Sequence, residues 1–140
     1  MPYYIDALKP GMSESYSRTV TEADIQKFGE VSGDMNPAHF DEDWARTTPF
    51  KGRIAHGILS ASYISTVLGM KMPGPGTIFL SLTTRFKAPV RIGDTVVATC
   101  TVREVIADKR RVLFDCTAKV GDTIVVDGEA LVMAPARPKP

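Results

Sequence analysis

From His56 to Met70 the chain runs fifteen residues without proline, and its glycines, Gly57 and Gly69, sit near the two ends. Ile58, Leu59, Ala61, Tyr63, Ile64, Val67, Leu68 and Met70 fall on nearly every side of a helical wheel. A helix that is apolar on all sides has no face to offer water, so the pattern predicts a helix buried all round, at the centre of the fold. Interspersed Ala and Ser let neighbouring backbone come close. Such a helix needs a concave layer around it, and the rest of the chain must supply that layer.

The layer follows directly in sequence. After the turn Met72-Pro73-Gly74-Pro75-Gly76 the chain becomes rich in Val, Ile, Thr and Phe, and four strands are expected at 77–88, 95–105, 110–120 and 123–133. Gly93-Asp94, Ala107-Asp108-Lys109 and Gly121-Asp122 are short enough to join antiparallel neighbours. Helices first and an antiparallel sheet second make an α+β architecture, a sheet wrapped around one long helix. At 140 residues this is one domain over 1–140. The tail 134–140 carries three prolines and is expected to fray.

Before the central helix, residues 14–20 read as a short strand and Thr21 as the cap of a helix whose first turn holds Glu22 and Asp24. Ile25, Phe28 and Val31 or Ser32 would face inward, and Gly33 would stop the helix. Pro37 pushes Asn36 out of helical geometry, so Asp34 to Pro37 is a turn. Asp41 is placed to cap a second short helix.

Composition removes several function classes. The formal net charge is +1 with no long single-sign run, which does not suit a nucleic-acid binder. The two cysteines, Cys100 and Cys116, lie inside expected strands away from both histidines, so no Cys/His metal set forms and buried reduced thiols of a cytoplasmic protein are expected. The N-terminus lacks the features of a signal peptide. The longest apolar stretch falls short of the ~20 residues of a membrane span.

The stretch Ser32-Gly33-Asp34-Met35-Asn36-Pro37-Ala38-His39-Phe40-Asp41 carries the chemistry. A carboxylate and an imidazole five residues apart, across a turn stiffened by Pro37, can reach one small volume, as two proton movements require. The same residues are also ordinary turn formers, and His39 read alone could be structural.

The segment resembles the hydratase signature of MaoC-like proteins, Asp-x-Asn-Pro-x-His-x-Asp, at Asp34, Asn36, Pro37, His39 and Asp41. Ile54-Ala55-His56-Gly57-Ile58-Leu59 is similar to the His-Gly turn that opens that family's central helix, and Phe86-Lys87-Ala88-Pro89-Val90-Arg91-Ile92-Gly93-Asp94 to its strand and turn. The resemblance implies a hotdog fold and a homodimer with its substrate tunnel near the subunit interface. It implies an (R)-specific enoyl-CoA hydratase acting on an acyl-CoA, without cofactor or metal, in which Asp34 and His39 are the catalytic pair and the Gly57 N–H is the oxyanion donor. Chemistry agrees: hydration needs a base for water, a proton for C2 and a donor for the thioester oxygen, and a helix start favours developing negative charge. Asp34 is expected to activate water and His39 to protonate C2, with the opposite assignment open because the two titrate as a pair.

Asn36, His56 and Ser65 are supporting candidates. Asn36 and His56 have structural readings of equal or greater weight, and Ser65 is equally a small packing residue. Lys87, Arg85 and Arg91 read as solvated basic residues, and Leu59, Leu68 and Leu131 as core or tunnel lining. Rival readings are a dehydratase of a hydroxyacyl-CoA or hydroxyacyl-carrier protein, an acyl-CoA thioesterase and a non-catalytic acyl-binding subunit. Hotdog thioesterases usually use a carboxylate on the central helix, and residues 58–70 contain no Asp or Glu.

Overall fold

The computed structural model describes every residue, Met1–Pro140. In chain order the elements are β1 (Ser13–Thr19), α1 (Glu22–Ser32), α2 (Pro37–Phe40), α3 (Glu42–Ala45), α4 (Gly57–Thr66), β2 (Ile78–Phe86), β3 (Thr95–Ile106), β4 (Arg111–Val120) and β5 (Thr123–Met133). The five strands form one antiparallel sheet in the order β1-β3-β4-β5-β2, folded against α4. The turns at 107–109 and 121–122 close the expected hairpins, and the strand ends agree with expectation to within two residues. Gly93-Asp94 does not join neighbours: β2 pairs with β5 at the edge, and the chain crosses the sheet to enter β3 between β1 and β4.

Strands β3 and β4 show why the sheet can carry the core. Val96, Ala98, Cys100 and Val102 alternate inward on β3, as do Val112, Phe114, Cys116 and Ala118 on β4, the period of two that a half-buried strand demands. Against them α4 and the π-helical turn Val67–Lys71 that extends it set Ile64, Val67 and Leu68, each at most 1% exposed. Each such side chain contributes about 1.5–3 kcal/mol by leaving water.

Burial of α4 all round is not what the structure has. Ile58 is 58% and Met70 71% exposed, and Gly57, Ser65 and Gly69 are exposed with them. One five-stranded sheet and α1 cover only part of the helix circumference, and an apolar stripe is left open. A second departure lies on α1. Its inward face is Asp24, Ile25 and Gly29, with Phe28 half-buried, whereas Val31 is 88% exposed and Ser32 turns back to bond the Phe28 carbonyl. Gly29 takes the inner position because the Phe40 ring packs there, where a Cβ would come within 2.6 Å of it.

The ends of α1 are fixed as the sequence suggests. Thr21 Oγ1 accepts the Asp24 N–H and Asp24 accepts the Thr21 N–H, while Gly33 in left-handed geometry (φ 80) closes the C-terminus. Asp24 tolerates burial because Arg18 binds it through two nitrogens, at 2.6 and 3.1 Å, and holds its carboxyl below the usual range. The tail is anchored to the N-terminus: the Ile5 N–H donates to Pro135 O, and Arg137 reaches the Asp6 carboxylate at 2.7 Å.

Strand β2 lies at a sheet edge and exposes Ile78, Phe79, Leu80, Leu82 and Phe86. It can sit against β5 only because residue 128 is glycine. A Cβ there would run into the Thr83 carbonyl and come within 2.8 Å of Thr84 Cα. Gly128→Ala is therefore expected to push β2 off β5 and to lower stability by about 1–3 kcal/mol, measured as a shifted midpoint in urea; an unchanged midpoint would contradict this packing.

Candidate active site

The stretch between α1 and α2 is built by its own side chains. Ser32 Oγ accepts the Asp34 N–H, Asp34 Oδ1 accepts the Asn36 N–H at 3.2 Å, and Asn36 Oδ1 accepts the Ala38 N–H at 3.0 Å. Asn36 is extended (φ −54, ψ 128), as the residue before a proline must be, and Pro37 opens α2. This single turn of helix, which the sequence did not disclose, carries His39.

Opposite it runs the lead-in to α4, Arg53 to His56, fixed by the Ile54 N–H on Ala38 O and the Ala55 N–H on Val90 O. The two segments are cross-tied by their histidines. His39 Nδ1 donates to the Ile54 carbonyl at 2.8 Å, and His56 Nε2 donates to the Asp34 carbonyl at 2.9 Å. The two rings stack with centroids 3.9 Å apart and planes inclined by 30°, and Phe28 and Phe40 flank His56. His56 is 2% exposed, a structural tie rather than a lining residue of the tunnel mouth.

Donor atoms of Asp34, His39 and His56 all lie within 4.8 Å of one another. For a metal ion the set offers little: each ring has one nitrogen committed to a carbonyl, which leaves His39 Nε2, the buried His56 Nδ1 and one exposed carboxylate. For proton transfer it suits well. The carbonyl acceptor fixes the proton on His39 Nδ1 and leaves the lone pair on Nε2. Burial lowers the His39 pKa below the ordinary imidazole value; His56 and Arg53 push the same way, while the Ile54 hydrogen bond and the Asp34 carboxylate oppose it.

Gly57, next to His56, is the first residue of α4, and neither its N–H nor that of Ile58 has an acceptor. A cavity of about 380 Å³ opens beside it, walled by Phe50, Ile54, Ile58, Phe86, Val125 and Val126, with Lys87 its one charged lining residue. Phe86 covers Gly57 so closely that a Cβ would come within 2.7 Å of the ring. Asp34 and His39 do not line this cavity; it meets their site through Ile54 and Gly57.

Other candidates separate cleanly. Asn36 caps α2, and Asp41 caps α3 by accepting the Trp44 N–H. Ser65 sits on the open stripe of α4, away from the cavity. Leu59 and Leu68 are core, and Leu131 is half-buried on β5. Arg85 pairs with Asp127, and Arg91 bonds the Phe50 and Arg53 carbonyls. The residue that sequence reasoning missed is Arg53, whose Nε donates to the His39 carbonyl at 2.7 Å. No local signal in the sequence marks it, because its ion-pair partner, Glu22, lies 31 positions away.

His56→Phe keeps a ring in the stack and removes the tie to Asp34. The variant is expected to fold, to lose about 1 kcal/mol in denaturant titration and to turn over more slowly; unchanged turnover would reduce His56 to packing.

Comparison with known proteins bears on the whole chain. The MaoC like domain matches residues 7–126. An (R)-specific enoyl-CoA hydratase of Rhodospirillum rubrum is 52% identical over 96% of this chain and 94% of its own. A 3-hydroxybutyryl-CoA dehydratase of Methylorubrum extorquens is 46% identical over 96% of this chain and 85% of its own. Among solved structures, the R-hydratase PhaJ1 of Pseudomonas aeruginosa superposes with a TM-score of 0.91 at 42% identity, over 97% of this chain and 88% of that one. The (R)-hydratase of A. caviae does so at 0.88 and 36%, over 92% and 98%. With a hotdog sheet around its central helix, the signature at Asp34 to Asp41 and these relatives along nearly its full length, the chain belongs to the MaoC-like dehydratase family.

Proposed function

We propose that the protein is an (R)-specific enoyl-CoA hydratase, a hydro-lyase that reversibly adds water to a trans-2-enoyl-CoA to give the (R)-3-hydroxyacyl-CoA. The observation that carries this reading is the convergence of Asp34 and His39 within 4.8 Å, with His56 of the same group leading directly into the unpaired N–H of Gly57. The (R) configuration and the CoA thioester rest on the R. rubrum and A. caviae relatives. The carrier-protein dehydratases of Arabidopsis thaliana and tomato, at 34% and 30% identity, support the rival reading less strongly.

In this mechanism the thioester oxygen lies against the Gly57 N–H, where the helix start stabilises the enolate-like charge. The tautomer of His39 favours neither the expected division of roles nor its reverse, but one in which His39 handles both proton movements. With Nδ1–H held by Ile54 and a depressed pKa, the ring enters the reaction neutral and has no Nε2 proton to give. Nε2 takes one proton from water as the hydroxyl bonds to C3, and the same nitrogen returns that proton to C2. Asp34 holds the other hydrogen of the water and sets its approach. No redox or carrier cofactor enters the step. The roles of Asn36 and His56 are to hold the loop; Ser65, on the open stripe, is a substrate contact only if a second chain closes over it.

We further propose a homodimer built on β2, in a reducing, cytoplasmic setting that suits the buried thiols Cys100 and Cys116. An edge strand of nine residues with five exposed apolar side chains is an aggregation liability unless a like edge covers it. Sedimentation is expected to give twice the 15.2 kDa chain mass, and Leu82→Lys to shift it toward the monomer.

The decisive assay follows loss of the conjugated thioester absorbance of crotonyl-CoA. Asp34→Asn and His39→Ala are each expected to slow it by about 10²–10⁴-fold. Because the neutral ring is the active form and its pKa is lowered, wild-type kcat/KM should stay level as pH falls to the ordinary imidazole range and decline only below it. Full activity in either variant, or release of free thiol instead of 3-hydroxyacyl-CoA, would overturn the reading.

A further inference from the structure

We infer that Arg53, clamped by Glu22, is a positioning residue that aims His39 at the reacting water. The inference rests on the catalytic role proposed for His39. Two tethers fix that residue: its carbonyl receives Arg53 Nε at 2.7 Å, and its Nδ1 donates to the Ile54 carbonyl at 2.8 Å. Both tethers end on consecutive residues of one strand of backbone. If that backbone shifts, the ring shifts with it, and Nε2 swings away from Asp34.

The guanidinium is held in turn. Its Nη1 and Nη2 take the two Glu22 carboxylate oxygens at 2.7 and 2.8 Å, a fork that an ammonium group does not reproduce. The Arg53 side chain is 16% exposed, and its pKa is raised chiefly by the Glu22 hydrogen bonds. Its N–H faces a Glu42 carboxylate oxygen at 3.3 Å, and its carbonyl accepts Arg91 Nη1 at 3.2 Å. One side chain thus joins the first turn of α1, the lead-in to α4 and the carbonyl of the imidazole residue on α2, while its main chain is tied to α3.

Arg53 also acts on His39 as a charge. The charged and titratable groups around the ring are Asp34 from the loop after α1, His56 from the lead-in to α4, and Arg53, with Glu22 and Glu42 behind Arg53. Asp34 favours the imidazolium; His56 and Arg53 oppose it. Aim and charge can be separated by substitution, because lysine keeps the charge and loses the fork.

Arg53→Gln, Arg53→Lys, Glu22→Gln and His39→Ala are compared with wild type on crotonyl-CoA over a range of pH. In Arg53→Gln a misaimed base is expected to cut kcat by about 100-fold, with KM little changed, and to move the acid limb of kcat/KM upward because a cation near His39 is gone. Arg53→Lys should leave the limb in place and still lose kcat; Glu22→Gln should lose kcat to a smaller extent. Wild-type kcat and an unmoved limb in Arg53→Gln, with only its melting temperature lowered, would overturn the inference. If Arg53→Gln fails to fold, full kcat in both Arg53→Lys and Glu22→Gln would overturn it equally. Activity in His39→Ala would instead bring down the catalytic reading on which it rests.

Discussion

The site depends on two imidazoles that tie the same two stretches of backbone in opposite directions. His39, on the signature segment, holds a carbonyl of the lead-in to α4; His56, on that lead-in, holds a carbonyl of the signature segment. Neither segment has regular structure longer than one turn at this point, so helix and sheet hydrogen bonds cannot fix their spacing. The cross-tie does, and it gathers the Asp34 carboxylate and the two imidazoles within 4.8 Å, one residue before the unpaired N–H that opens α4. The stack between the rings then excludes water from one side of His39 and favours its neutral form.

This economy explains the division of labour between two histidines of one type. His56 is buried, spends Nε2 on a carbonyl and serves geometry. His39 is half-buried, spends Nδ1 in the same way and leaves Nε2 without a protein partner, free for the proton transfers proposed above. The difference lies in which nitrogen is committed and which way the ring opens. A sequence cannot announce that distinction.

Much of the architecture was legible. Runs rich in Val, Ile, Thr and Phe and the short turns between β3, β4 and β5 named those hairpins, and Thr21, Gly33 and Asp41 marked helix ends by the hydrogen bonds they make. Local signals of this kind are read over a few residues and survive folding. What failed was of longer range. Apolar character all round α4 predicted burial all round, yet the stripe at Ile58 and Met70 stays open, because periodicity reports what a helix can bury and not what the chain has left to cover it. The expectation of Val31 or Ser32 on the inward face of α1 fails because the Gly29–Phe40 contact that sets the face is not visible in the sequence. Within the site, the signature disclosed Asp34 and His39. Arg53 stayed hidden because its partners, Glu22 and the His39 carbonyl, become neighbours only once the chain is folded.

The cavity beside Gly57 has a wall of unusual composition. Phe50, Ile58 and Phe86 line it, and they are 42%, 58% and 52% exposed, so they carry little of the core. Substitutions at exposed positions usually change stability by no more than about 0.5 kcal/mol. At Phe50 and Ile58 the outer wall can therefore be reshaped by mutation with little loss of folding, while Phe86 stays pressed on Gly57 and the inner wall of Val125 and Val126 stays fixed by the sheet. New wall shapes arise by changing two side chains, and the hydrogen bonds that hold Asp34 and His39 need not move.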